Sequence, residues 1–272
     1  MGRVALIGDV GGHRDQLADA LRTLGGAGSD GYLPQDLTVI QVGDLVDRGP
    51  DSSGVLALVG DHLRHQPDQW IQLVGNHEAQ YLPGQSFFWP ERLPGDDALT
   101  LREWWSSRAM NVATAVRTVD GDDLLVTHAG LTVDAWRALG EPATASAAAR
   151  LLNARPEPLT WLGGDLAVDE AGGPLWADAG WELHEPWLGF HGEGGFVPFG
   201  QVHGHSCIVS YRDACWHCPG RVRQRATVDW KARHVTVRVG GRAFIGIDPK
   251  HGRHGAPEWA PLLLDDAVVL TE

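Results

Sequence analysis

Cysteine is scarce in this 272-residue chain, with Cys207, Cys215 and Cys218 the three present, all in one short stretch. An odd number so clustered does not build the disulfide framework of a secreted domain. Long apolar runs are missing too. Nowhere do 18 apolar residues follow one another, so no membrane-spanning helix is expected. The start, MGRVALIGDVGG, has a short apolar run from Val4 to Ile7 and no small-residue cleavage site, and it reads as a buried strand instead of a leader. Positive charge is in deficit, with 22 Lys+Arg against 35 Asp+Glu and a formal charge of −13. That balance speaks against coating nucleic acid or an anionic membrane. It leaves an anionic substrate open, because bound cations reverse the charge of a site. The expected setting is cytoplasmic and reducing.

What the chain does have is apolar material and a regular rhythm. At 43% hydrophobic residues it can bury a sizeable core, and its length suits a single domain over residues 1–272. Arg3–Gly8, Leu37–Val42, Trp70–Val74 and Leu124–Thr127 read as buried strands. Asp15–Leu24 and Ser52–His65 carry apolar residues at helical spacing. Alternation of this kind predicts an α/β fold with largely parallel strands, whose ligands gather at the carboxyl ends of the strands. Asp97–Val119 reads as a helix, and Thr132–Ala154 as two helices broken at Gly140-Glu141-Pro142. Residues 155–200 are rich in Pro, Gly and Trp, so 95–200 is expected to lie over the strand ends as helices and ordered loops. Phe196–His203 returns to strand character, and Val235–Val239 with Ala243–Ile247 form a hairpin on Gly240-Gly241.

Five segments at these strand ends hold the residues that can bind hard cations: Asp9; Asp44 with Asp47 and Arg48; Asn76 with His77; His128; and His205. Carboxylate, amide oxygen and imidazole are the donors of Mn²⁺, Fe or Zn²⁺ in hydrolytic sites. Two such ions about 3.5–4 Å apart hold the oxygens of an in-line phosphoryl displacement. Taken singly, each residue has a plainer reading, since Asp after Gly often caps a helix and a lone His is often structural. Five in order, each at a strand end, are not a lone signal.

Gly8-Asp9, Gly43-Asp44-Leu45-Val46-Asp47-Arg48-Gly49, Gly75-Asn76-His77-Glu78, His128-Ala129-Gly130 and Gly204-His205-Ser206 together resemble the motif set of the calcineurin-like metallophosphoesterases. The resemblance is to the phosphoprotein phosphatase (Ser/Thr phosphatase) branch and its bacterial members. Leu175-Trp176-Ala177-Asp178 and Phe199-Gly200 sit where that branch has similar segments. It spans about residues 3–250 and implies a four-layer α/β/β/α sandwich in place of a doubly wound sheet. It implies two divalent ions, Mn²⁺ foremost with Fe or Zn²⁺ as alternatives. Asp9 would bind the first ion, Asp44 would bridge both, and Asn76, His128 and His205 would complete the second. His77 would be the general acid, held by Asp47, and Arg48 would clamp phosphate oxygens. A metal-bridging hydroxide would be the nucleophile, with no covalent phosphoenzyme.

The chain departs from the family's pattern twice. The family has His two residues after the first Asp, where this chain has Gly11. His13 is the first choice as substitute ligand, with His203, Cys207 or water as alternatives. The family's second phosphate-clamping Arg is also missing: Glu193 stands near its place, and Gln80 follows Glu78 where Arg is common. Smaller signals have plain readings beside sharper ones. Cys215-Trp216-His217-Cys218 is a zinc half-site or two buried thiols in a turn. His251-Gly252-Arg253-His254-Gly255 is a metal loop or solvated surface. The Trp-rich middle stacks a substrate ring or packs long loops. Arg212, Arg221, Arg223 and Arg225 meet an anionic substrate or form a solvated hairpin. The expected function is a metal-dependent phosphoesterase acting on phosphomonoesters, Ser/Thr-phosphatase-like, whose substrate is a phosphorylated small molecule, nucleotide or phosphoprotein. The alternatives are a nucleotide or dinucleoside polyphosphate hydrolase, and a degenerate, non-catalytic phosphate-binding protein.

Overall fold

The structure, a computed structural model, describes residues 2–25, 32–164, 171–251 and 258–270. The first half follows the expected rhythm: β1 (Arg3–Ile7), α1 (Arg14–Thr23), β2 (Leu37–Gln41), α2 (Ser52–His65), β3 (Trp70–Leu73), the short α3 (Asn76–Ala79), α4 (Gly95–Ser107) and β4 (Met110–Asn111). β5 (Ala113–Arg117) and β6 (Asp123–Thr127) precede α5 (Val133–Ala138) and α6 (Ala145–Asn153). A π-helical turn (Ala179–His184) runs into α7 (Glu185–Gly192). The chain closes with β7 (Gly200–His203), α8 (Gly220–Arg223), β8 (Ala226–Asp229), β9 (His234–Val239), β10 (Arg242–Gly246), β11 (Leu262–Leu264) and β12 (Val268–Val269).

Two sheets result. One has five strands in the order β11-β1-β2-β3-β4, and the other has seven in the order β12-β5-β6-β7-β10-β9-β8. β1 to β4 run parallel, as do β6, β7 and β10. The period-two alternation of each strand decides the layering. Val4 and Leu6 of β1 meet Leu124 and Val126 of β6 and Val202 of β7 in a fully buried layer between the sheets. Ala5 and Ile7 face the other way, onto Leu17 and Leu21 of α1 and Val55 and Val59 of α2. Leu125 likewise packs with Ala148 and Leu152 of α6 and Trp187 of α7. Each buried Leu, Ile or Val in these layers contributes about 1.5–3 kcal/mol relative to exposure. The order helix, sheet, sheet, helix is the expected four-layer α/β/β/α sandwich. Among the described residues no helix is long and apolar enough to cross a membrane.

The expected helix over Asp97–Val119 is half right. α4 ends at Ser107, Arg108 turns left-handed at φ 63°, and the chain re-enters as β4 and β5, so 95–200 is not all cover. Residues 112–116, Val-Ala-Thr-Ala-Val, mix apolar and polar at a spacing compatible with either period. Pairing with β6 and β12 decides for the strand. The hairpin on Gly240-Gly241 and the break between α5 and α6 fall as expected. Close packing at the strand ends fixes the site. A Cβ on Gly8 would lie 2.0 Å from the Ile247 carbonyl oxygen, and one on Gly204 2.3 Å from Asp9 Oδ1. Only glycine lets the ends of β1, β7 and β10 approach this closely.

Candidate active site

Four non-glycine residues of the expected motifs hold left-handed backbone: Asp44 (φ 55°), Asp47 (φ 68°), Arg48 (φ 61°) and His205 (φ 61°). Such strain persists only where the surroundings enforce it, and it collects at functional sites. The enforcing group for the Asp44 loop is Glu78, which is fully buried. Its two carboxylate oxygens accept N–H bonds from Asp44 (2.8 Å), Leu45 (2.8 Å), Val46 (3.3 Å) and Gly75 (2.8 Å). Burial and the Asp44 charge push Glu78 up to about 7, and the N–H donors pull it back. The carboxylate thus ties the loop after β2 to the loop after β3. Glu78→Gln turns an NH₂ group onto these donors and should lower stability by about 3 kcal/mol. At roughly 2–4 °C per kcal/mol, thermal unfolding should show a Tm about 6–12 °C lower. An unchanged Tm would remove Glu78 from this role.

At the carboxyl ends of β2, β6 and β7, ligating atoms of Asp44, His128 and His205 all lie within 4.8 Å of one another. His128 Nε2 is 3.3 Å from Asp44 Oδ1 and 3.0 Å from Asn76 Oδ1. His205 Nδ1 is 3.1 Å from the same amide oxygen. His128 Nδ1 lies 2.9 Å from the Val42 carbonyl and donates to it. That bond leaves Nε2 as a lone pair aimed into the cluster. Burial keeps His128 below its usual range and takes His205 down to about 3, so both rings are neutral donors. Lone pairs and carboxylate oxygens facing one another in a buried space repel unless a cation lies between them. The chemistry of this donor set therefore fits a divalent metal.

A second set of carboxylates stands beside it. Asp9, 3% exposed, accepts from the His205 N–H through Oδ1 (2.9 Å), while its Oδ2 has no hydrogen-bond partner. Burial and the charges of Asp248 and Asp44 push Asp9 well above its usual range. Burial would raise Asp44 as well, but neighbouring positive charge, that of His77 and Arg48 included, holds it below the ordinary carboxylate range. Unpartnered buried carboxylate oxygens fit a cation here too. Asp248, 1% exposed, lies just past β10 with Lys250 Nζ 3.0 Å from its Oδ2. None of the sequence motifs includes it, although a polar residue just past a strand end, the pattern of the other site residues, recurs at Ile247-Asp248.

His77 sits on the first turn of α3, 1% exposed. Its Nδ1 is 2.7 Å from Asp47 Oδ2, and its Nε2 is 3.2 Å from Arg48 Nη2. Burial and Arg48 lower its proton affinity, but Asp44 and Asp47 outweigh them, and its pKa is raised. Gln80, at the family's Arg position, donates to the same Asp47 oxygen at 2.7 Å and accepts from the Trp89 N–H at 3.1 Å. It therefore links the acid's partner to the loop after α3, which only tertiary contact reveals.

His13, the favoured substitute ligand, caps α1 and stacks on His251 with ring centroids 4.7 Å apart. It stands outside the Asp44–His128–His205 group. His203 faces the helix layer, with its Nε2 3.4 Å from His184 Nε2. Cys207 is half-buried, and burial pushes its thiol up. Cys215 is exposed and 3.6 Å from His217 Nε2, so the reading of two buried thiols fails for it. Among the described residues no metal-holding group includes a cysteine. Gly11 has φ 51°, a left-handed backbone that favours glycine where the family has His. Glu193 follows α7 and is exposed. Of the loop His251–Gly255, only His251 lies within the described residues, and it is buried.

Comparison with known proteins bears on the family and on the fold. The profile of the calcineurin-like phosphoesterases matches residues 2–210. Serine/threonine-protein phosphatase 1 of Salmonella typhimurium (strain LT2) is 36% identical over 84 residues, a stretch that covers 30% of this chain and 33% of that protein. The chain thus aligns with only a third of that relative's length. A cold-active protein-tyrosine phosphatase of a psychrophilic Shewanella superposes with a TM-score of 0.57 at 20% identity, covering 98% of this chain and 76% of that one. A second structure of a cold-active protein tyrosine phosphatase superposes with a TM-score of 0.55 at 19% identity, covering 97% of this chain and 73% of that one. These superpositions concern the fold. With the profile matching three-quarters of its length, and its site assembled from the same motifs, the chain belongs to the calcineurin-like phosphoesterase family.

Proposed function

We propose that the protein hydrolyses phosphomonoesters with the help of two divalent ions, Mn²⁺ foremost, in the manner of the phosphoprotein phosphatase branch. The observation that carries this reading is the joining of two things. The acceptors of buried Asp44, Asn76 and His128 and of half-buried His205 come together at the strand ends, and an imidazole braced by a carboxylate stands beside them. Asp9 and Asp44 would hold the first ion, Asp44 with Asn76, His128 and His205 the second, and His13 remains the candidate that completes the first. When bound, the ions supply Lewis acidity to the phosphoryl group and an activated water.

The chain's own residues do the rest. Arg48, 24% exposed at its side chain and 3.9 Å from Asp44 Oδ2, turns its guanidinium to the phosphate oxygens of an arriving ester. Doing so takes it off His77 Nε2, which then keeps a proton. Asp47 holds the ring through Nδ1, so that Nε2 faces the leaving oxygen and protonates it. A non-catalytic binding protein would have no use for this acid. Both sheets contribute site residues, in keeping with a single domain over 1–272. The Salmonella relative is in keeping with a bacterial, cytoplasmic setting.

The test is turnover by Mn²⁺-loaded protein of p-nitrophenyl phosphate, a phosphopeptide and a dinucleoside polyphosphate. Hydrolysis of the first two supports the reading. Preference for the dinucleoside polyphosphate moves the function to nucleotide hydrolysis, and inertness toward all three contradicts a phosphoesterase.

A further inference from the structure

The proposed chemistry leaves one feature of the site unused, a chain of aromatic rings along its edge. Phe88 stands edge-on to the His77 ring at 5.1 Å and to Trp176 at 5.0 Å. Trp176 in turn stands edge-on to the His205 ring at 6.0 Å. Trp89 approaches His77 at 4.9 Å, and the Arg48 guanidinium lies 5.9 Å from its ring centre. The rim therefore runs from His77 across to a residue of the Asp44–His128–His205 group. Phe88 is 43% exposed.

The ring positions are fixed from both sides. Trp89 N–H donates to Gln80 Oε1 (3.1 Å), Leu93 N–H donates to the Tyr81 hydroxyl (3.1 Å), and Phe87 packs on Tyr81 at 5.3 Å. On the other side, Ala179 N–H donates to Ser206 Oγ (2.9 Å), tying the segment after Trp176 to the residue after His205.

Resting on the phosphoesterase reading above, we propose that Phe88 and Trp176 are specificity-determining residues that select aryl phosphates, the phosphotyrosine side chain of a protein being the substrate. The oxygen that receives the His77 proton is the ester oxygen, so whatever is bonded to it lies within ring contact of Phe88. A phenol has its ring directly on that oxygen and meets Phe88 edge-to-face. The single methylene of a phosphoserine offers little apolar surface there. A nucleobase is held away from its phosphate by the ribose. In the reaction the bond between phosphorus and the phenolic oxygen breaks and a water oxygen bonds to phosphorus. The His77 proton goes to the phenolic oxygen, and the water's proton restores His77. The products are a tyrosine hydroxyl and inorganic phosphate.

The experiment compares kcat/KM on one peptide carrying phosphotyrosine or phosphoserine, for wild type, Phe88→Ala, Phe88→Leu and Phe88→Trp. Calorimetric affinities of phenylphosphonate and methylphosphonate are measured alongside. Wild type should favour the phosphotyrosine peptide and phenylphosphonate. Phe88→Ala and Phe88→Leu should lower both preferences about tenfold, the loss of one or two edge-to-face ring contacts. Phe88→Trp should restore them. Preferences unchanged within twofold in Phe88→Ala overturn the rim's role. Failure of metal-loaded wild type to hydrolyse either peptide or p-nitrophenyl phosphate overturns the phosphoesterase reading instead.

Discussion

Asp44→Asn protein should purify with far less bound metal than wild type and turn over phosphomonoesters about 10³-fold more slowly. Asp44 is the acid shared by everything at the site. Its Oδ1 is 3.3 Å from His128 Nε2 and accepts the His77 N–H at 3.0 Å, and its Oδ2 has no hydrogen-bond partner. An amide of the same shape keeps the packing but removes the charge that would bridge two ions. Metal ions contribute several kcal/mol of transition-state stabilisation, and about 4 kcal/mol corresponds to 10³-fold. Elemental analysis with turnover on p-nitrophenyl phosphate checks both parts. Full activity in Asp44→Asn would show that no metal bridged by this residue takes part.

His77→Asn should separate leaving groups. A general acid is worth about 10²–10⁴-fold when the departing oxygen is basic, so phosphoserine and phenyl phosphate turnover should fall by that order. p-Nitrophenolate leaves readily without a proton, and its rate should fall much less. Metal content should stay at the wild-type level, since His77 lies outside the ligating group. A uniform loss on all esters, with metal lost as well, would make His77 a structural residue instead of the acid. The Asp47 contact at 2.7 Å ties the two residues, so Asp47→Asn should show the same leaving-group pattern in weaker form.

The strand-end residues were legible in the sequence because each is announced locally. A short apolar run stops and an Asp, Asn or His follows, directly after Gly in Gly8-Asp9, Gly43-Asp44, Gly75-Asn76 and Gly204-His205 and after Thr127 at His128. The layering was legible only through family resemblance, since alternation alone also fits a doubly wound sheet. What stayed hidden is what depends on contact across the chain. Glu78 acts on N–H groups more than thirty residues away. Gln80 reads as a missing arginine until its bonds to Asp47 and Trp89 are seen. Asp248 also stands just past a strand, after Ile247, but belongs to none of the motifs. The 110–117 stretch reads as helix in the sequence because its apolar spacing suits both periods, and sheet pairing decides for the strand. Of the candidate ligands, His13 is brought to His251, a partner that spacing along the chain could not foretell.

On the proposed reading, the Asp9, Asp44, Asn76, His128 and His205 donors hold divalent cations on which phosphoester hydrolysis depends. The direct measurement is p-nitrophenyl phosphate turnover by chelator-stripped protein, with and without a Mn²⁺ titration, alongside metal content per chain. The predicted result is negligible turnover in the stripped protein and recovery that saturates as one to two ions bind. Turnover that is undiminished in metal-free protein would contradict it.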